Sequence, residues 1–166
     1  MAHIDPIVKL AGLALAHAAW IVSELPEGEV FVPFAFAVGA EGRQLVNFEA
    51  PTQEEAVRGG KQWLAEHAHE YDGCAFARDG RVLEDGVYVD VLVVEALATQ
   101  SSEALVFAQR YRPPSAGGFR LLGRPEVIID GVIVRGDEAT DHADALDAGA
   151  RSHPGVGERW PAWRGP

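Results

Sequence analysis

Cysteine is nearly absent from this chain of 166 residues: Cys74 stands alone. An intramolecular disulfide is therefore impossible, nothing demands an oxidising compartment, and a structural zinc site built from several cysteines is excluded. Basic residues are scarce too, 14 Lys and Arg against 25 Asp and Glu, for a formal net charge of −11. Phosphate backbones need clustered Lys and Arg, so nucleic acid is not an expected partner, and anionic membrane surfaces are disfavoured for the same reason. Also missing are a Gly-x-Ser-x-Gly elbow, a phosphate-binding glycine loop and a dinucleotide fingerprint. No internal repeat or low-complexity tract is present. The expectation is an acidic cytoplasmic protein without a cofactor, leaning away from an enzyme, in a composition that suits a GC-rich bacterial genome.

What is present is enough for a core. Apolar residues make up 48% of the chain and charged residues 23%, which argues for one folded domain rather than disorder. The densest β signal runs from Gly73 to Arg112 and reads as three or four antiparallel strands. Asp79-Gly80 is a hairpin signal, because a type I′ turn needs positive φ at both central positions, and Glu84-Asp85-Gly86 marks a second break. Val87 to Ala98 is valine-dense, which suits a pleated surface better than a helix. Strand alternation puts Val87, Val89, Val91 and Val93 on one uniformly apolar face, expected to meet the helices. Tyr88, Asp90, Leu92 and Val94 form a mixed face, expected to be wet or an interface. In the return strand Leu105, Phe107, Gln109 and Tyr111 form the expected core side. Thr99 to Glu103 supplies the turn between the two strands.

The flanks read as helices and further strands. Asp5-Pro6 opens a helix that runs to about Val22, with Asp as N-cap and Pro at the first helical position. That helix is apolar nearly all round, so it is expected to be buried; Leu10 to Val22 is too short to span a bilayer. Lys9 ahead of it and Ala16-His17-Ala18 sketch a secretory signal. The Asp5-Pro6 start, the balancing Asp5 charge and the weakly hydrophobic alanines favour a core helix instead. His17 reads as a core histidine. Val30 to Val38 and Leu45 to Ala50 form a hairpin across Gly39-Ala40-Glu41-Gly42, with Pro33 demoting the first strand to an edge or bulge. Thr52 and Glu55 make a capping box for a second helix ending near Tyr71, and Gly59-Gly60 within it suggests close packing on the first helix. Pro113 to Gly118 is a loop. Phe119 to Leu122 and Val127 to Val134 add β segments, the latter broken at Asp130-Gly131. The expected architecture is α+β: an antiparallel sheet of about five to seven strands with two helices packed on one face. Residues 1–135 form the domain. Residues 136–166 form an acidic, Gly/Pro-rich tail that docks on the domain or on a partner subunit, with Trp160 and Trp163 as its anchors.

Candidate sites are few. His67 and His69, with Cys74 beyond, form the densest group of potential metal ligands or a nucleophile with its base. On a helix the two histidines diverge, and Cys74 in an apolar strand reads as a small hydrophobe, so no metal site is assigned and this trio stands only as an alternative. Asp137, Asp141 and Asp144 share a helix face but lack the ordered ligands of a calcium loop. Charge is unevenly placed: residues 104–135 hold five arginines and two acids, between strongly acidic flanks. Arg110 and Arg112 share a strand face and are a candidate anion contact. The favoured functional expectation is a non-enzymatic protein-binding or assembly protein that acts as a homodimer and engages an unidentified protein. Its interface would draw on Arg110, Arg112, Tyr88, Asp90, Trp160 and Trp163. The alternatives are a small enzyme or metal protein using His67, His69 and Cys74, and a small-ligand-binding domain with a pocket between helices and sheet.

Overall fold

The computed structural model describes residues 5–99, 101 and 103–164. Helix α1 spans Asp5–Ser23, β1 Phe34–Gly39, β2 Gly42–Asn47 and α2 Gln53–His67. Strands β3 to β7 follow at Gly73–Glu84, Val87–Ala98, Leu105–Arg112, Arg120–Ile129 and Val132–Val134, then α3 at Gly136–Arg151 and α4 at Trp160–Arg164. All seven strands join one antiparallel sheet in the order β2-β1-β3-β4-β5-β6-β7. The α+β reading and the strand number hold. The Asp5 side chain, expected as the N-cap, and residues 100 and 102 of the expected turn lie outside the described side chains and residues.

The central stretch is three strands, and its first turn is not where the dipeptide signal placed it. Asp79-Gly80 lies inside the continuous strand β3, paired with Leu92 and Val91. The reversal occurs at Asp85-Gly86, with φ of 51° and 78°, the positive values a two-residue hairpin turn requires. Asp79 stays in the strand because its carboxylate is bonded there, by the Gly80 N–H and by the Tyr111 hydroxyl. Asp130-Gly131 makes the same kind of turn between β6 and β7. Pro33 sits just before β1 rather than in it, where its carbonyl accepts from the Phe48 N–H. This frees β1 to be an interior strand, flanked by β2 and β3, instead of the expected edge.

Helices lie on both faces of the sheet. Alternation along β1 sends Phe34 and Phe36 to α1, with Ala75, Ala77, Leu92, Val94, Leu105 and Phe107 from the neighbouring strands. Ala35 and Ala37 point the other way, to a second cluster of Cys74 and Phe76 under Leu64 of α2. The pair of helices sharing one face is thus α1 with α3, while α2 lies opposite. Gly60 approaches Phe76, not α1: a Cβ there would run into the phenyl ring. The close helix–helix approach is made by Gly12 of α1 and Gly149 of α3. A Cβ on the first would overlap the Leu146 carbonyl, and on the second the Lys9 carbonyl. α2 itself starts as expected, the Glu55 N–H donating to Thr52 Oγ1 at 3.1 Å.

Two further expectations change. By composition Pro6–Ser23, 18 residues, is long and apolar enough to cross a membrane once its first turn is counted, yet 61% of it is buried within the fold. The core also runs past residue 135: Leu146, Ala150, Val156 and Trp160 belong to the same cluster as α1. Alanine-rich α3 supplies little side-chain bulk and compensates by coming close, which is what Gly12 and Gly149 permit. The β4 face assignment is reversed. Leu92, Val94 and Ala96 face α1, whereas on the opposite face Val91 is buried, Val89 and Val93 lie half-buried and Val87 is exposed. The β5 assignment of Leu105, Phe107, Gln109 and Tyr111 to the core holds.

Candidate functional site

Two places combine chemistry with access: the half of the sheet that α2 leaves uncovered, and a cavity at the end of α1. Register builds the first. Opposite α1, the face carries Val82, Val89, Val91 and Val93 from β3 and β4, then Val106 and Ala108 from β5. Leu122 and Ile128 from β6 and Ile133 from β7 continue it. α2 packs over the β1 and β3 side of this face only. Leu122 and Ile133 are exposed, with Val87 at its rim.

The charges on this surface are already matched to one another. Arg78 pairs with Glu95 across β3 and β4, with Lys61 of α2 3.8 Å from the same carboxylate. Arg110 holds Glu84 through two bonds, of 2.9 and 2.7 Å, and reaches Glu126 at 3.3 Å. The hydrogen bonds from Arg110 pull the Glu84 carboxyl below its usual range, and the Arg110 guanidinium is held correspondingly more firmly charged. Arg110 is therefore engaged within the chain rather than presented to an outside anion. Arg112, on the same face as expected, donates to the carbonyls of Gly118 and Gly117 and fastens the Pro113–Gly118 loop.

The other expected interface residues disperse. Tyr88 is 65% exposed on the α1-side face, beyond the end of that helix, with the Arg81 guanidinium 6.0 Å from its ring centre. Trp160 is 1% exposed and donates its indole N–H to Asp147 at 3.0 Å, while Trp163 packs edge-on against Phe119. Trp160 is a core group and Trp163 is partly buried against the same core. Arg164 reinforces them through Gln109, Asp147 and the Gly123 carbonyl.

His67, His69 and Cys74 are not brought together. His67 turns to Glu70 at 2.9 Å and to the Trp63 ring, His69 is exposed in the short helical turn after α2, and Cys74 is buried on the α2 side of β3. Burial raises the Cys74 thiol to about 11, the reverse of what a nucleophile needs. Among the described residues no three His, Cys, Asp or Glu side chains are grouped to hold a metal ion.

The cavity, of about 470 Å³, lies between Val22 and Leu25 at the end of α1, the Pro26–Glu29 segment, and the strand ends of β3, β4 and β5. Its floor is polar. Tyr111 donates its hydroxyl to Asp79 Oδ1 at 2.7 Å, and the Gly80 N–H donates to the same oxygen at 3.0 Å. Arg81 lies 3.5 Å from Asp90 at the side. Burial, with a lesser push from the Asp90 charge, raises the Asp79 carboxyl above its usual range, against the opposing pull of the Tyr111 and Gly80 hydrogen bonds. Burial likewise raises the Tyr111 phenol, helped by the bond to Asp79. Sequence reasoning placed Asp90 at an interface and missed Asp79, which it read as a turn. The signal was the parity: Asp79 continues the Ala75–Ala77 stripe, Asp90 the Leu92–Val94 stripe and Tyr111 the Phe107–Gln109 stripe. Three polar groups thus end three adjacent core stripes.

Compared with protein-family models, curated proteins and solved structures, the chain matches none.

Proposed function

We propose that this protein is a non-enzymatic binding protein that works as a homodimer, joined through the open half of its α2-side sheet face. The observation that supports the reading is the uncovered β4–β7 surface, a run of valine, leucine and isoleucine with its ion pairs closed internally. Of its side chains Val87, Leu122 and Ile133 are exposed, and exposed apolar groups of this kind are what an interface removes from water. The charge pattern favours a second copy as the occupant. The chain carries −11, so most contacts between two copies are repulsive. On this face Glu84, Glu95 and Glu126 are balanced by Arg78, Arg110, Arg112 and Arg120, so two copies meet here without that penalty. The Leu122→Asp, Ile133→Asp double variant tests the reading, because both side chains are exposed and their replacement leaves the core intact. Sedimentation velocity is expected to show a dimer for the parent protein and a monomer with unchanged circular dichroism for the variant.

A second reading, a small-ligand-binding domain, is favoured by the cavity over Asp79 and Tyr111. Acidic groups outnumber Arg81 around it, so a molecule with an amine or guanidinium and a hydrocarbon part against Val22 and Leu25 suits the lining. Thermal-shift titration with simple alkylamines and guanidines separates this reading from the first: stabilisation by a cation, lost in Asp79→Asn, supports it.

A further inference from the structure

We propose that His17 and His153 form a proton-operated latch that holds the turn at residues 152–157 against α1 when both rings are neutral and loosens it when either takes up a proton. The geometry allows only one arrangement of hydrogens. His153 Nδ1 accepts from two backbone N–H groups, Gly155 at 2.9 Å and Val156 at 3.2 Å, so it carries no hydrogen itself. A neutral His153 must then carry its hydrogen on Nε2, which lies 3.1 Å from His17 Nδ1. His17 Nδ1 is therefore the acceptor, and the His17 hydrogen sits on Nε2. One added proton breaks the chain wherever it lands. On His17 Nδ1 it sets N–H against N–H; on His153 Nδ1 it sets N–H against two backbone donors.

The surroundings are mostly aromatic and the neighbouring charge is positive, which disfavours a histidinium. The rings stack with centres 5.3 Å apart. Trp20 of α1 meets both edge-on, and Phe34 and Phe36 of β1 meet His17. The charged group that acts on both is Arg43 of β2, which opposes a second positive charge. Burial, then His153 and Arg43, lowers the His17 pKa; burial, then Arg43, lowers that of His153, with its own backbone hydrogen bond opposing. Both values are depressed relative to the unfolded chain, so the unfolded state binds protons first as pH falls. The latch is fully present above about pH 6.5, the unfolded histidine value, and weakens progressively below it. Trp160 and the bonds of Arg164 anchor the segment further on, which confines the response to the turn.

The test combines nitrogen NMR of the imidazoles with amide exchange, expressed as protection factors so that intrinsic pH effects cancel. At pH 8 both rings are expected as the Nε2–H tautomer. Protection of the Gly155 and Val156 amides is expected to fall by up to about tenfold per unit of pH for each proton taken up, between the unfolded histidine value of about 6.5 and the lower folded values, and to level off below them. In His153→Asn the amide oxygen can accept from the same backbone groups without titrating, so only the smaller contribution of His17 to the fall should remain. An Nδ1–H tautomer at His153, protection of the parent protein that does not change with pH, or an identical fall in His153→Asn would each overturn the latch. Should the variant not fold, the tautomers and the parent's exchange profile still decide.

Discussion

The two faces of this sheet are made from the same strands and meet opposite fates. On one, Phe34, Phe107, Leu92 and Leu121 are sealed beneath α1, with α3 and α4 completing the cover. On the other, α2 seals Cys74 and Phe76 and stops, leaving β4 to β7 open. The contrast shows that apolar alternation alone does not say which face a helix will cover. Val87 to Val93 is the more uniformly apolar stripe of β4, yet it lies outside both helix-covered clusters. The stripe with Tyr88 and Asp90 became core because the polar pair lies at the end where α1 stops, leaving Leu92 and Val94 beneath it. What identifies the covered face is agreement across neighbouring strands: Phe34, Ala77, Val94 and Phe107 fall in register. The open face instead carries oppositely charged pairs set diagonally on neighbouring strands, Arg78 with Glu95 and Arg110 with Glu126.

The largest expected effect breaks the covered face. Gly12→Val drives a side chain into the α3 backbone and is expected to unfold the protein or cost upwards of about 3 kcal/mol in urea denaturation. Trp160→Ala removes a fully buried ring and its bond to Asp147, for about 3–5 kcal/mol. A matched pair sharpens the comparison directly. Leu92→Ala and Val93→Ala are neighbours on β4 pointing opposite ways. The first is expected to cost about 2–5 kcal/mol, the second under about 1 kcal/mol in a monomer. Equal costs at low protein concentration would erase the distinction between the faces.

Smaller effects probe the rims. The Asp79 carboxyl is raised in the folded state, so folding favours its neutral form relative to the unfolded chain. The stability this gives is present at low pH and lost as pH rises through its folded value. The stability of Asp79→Asn relative to the parent is therefore expected to rise from about pH 3 to about pH 7, read from urea midpoints at a series of pH values. Smallest is Arg110→Ala. Its pairs with Glu84 and Glu126 are partly solvent-exposed, so about 1 kcal/mol or less is expected.

Much of this fold was legible from local chemistry. Thr52 caps α2, Asp130-Gly131 turns β6 into β7, and the β5 alternation sorts core from surface, because each depends on residues close in the chain. What escaped depends on distant partners. Asp79-Gly80 has the composition of a turn, and only Tyr111, reaching its carboxylate from β5, explains the strand. Gly12 and Gly149 are unremarkable until their helices meet. His17 and His153 are separated by most of the chain. Of the expected site, Arg110 and Arg112 were rightly placed on one face, but their partners Glu84, Gly117 and Gly118 could not be read from spacing. Trp160 was expected at a docking surface and lies in the core.

The central claim is that the open half of the α2-side face is where two copies join. Sedimentation velocity of the parent protein and the Leu122→Asp, Ile133→Asp variant, across a range of concentrations, tests it most directly. The account predicts a concentration-dependent dimer that the double substitution reduces to a folded monomer. A parent protein that stays monomeric at high concentration, or a dimer that survives the substitution intact, would contradict it.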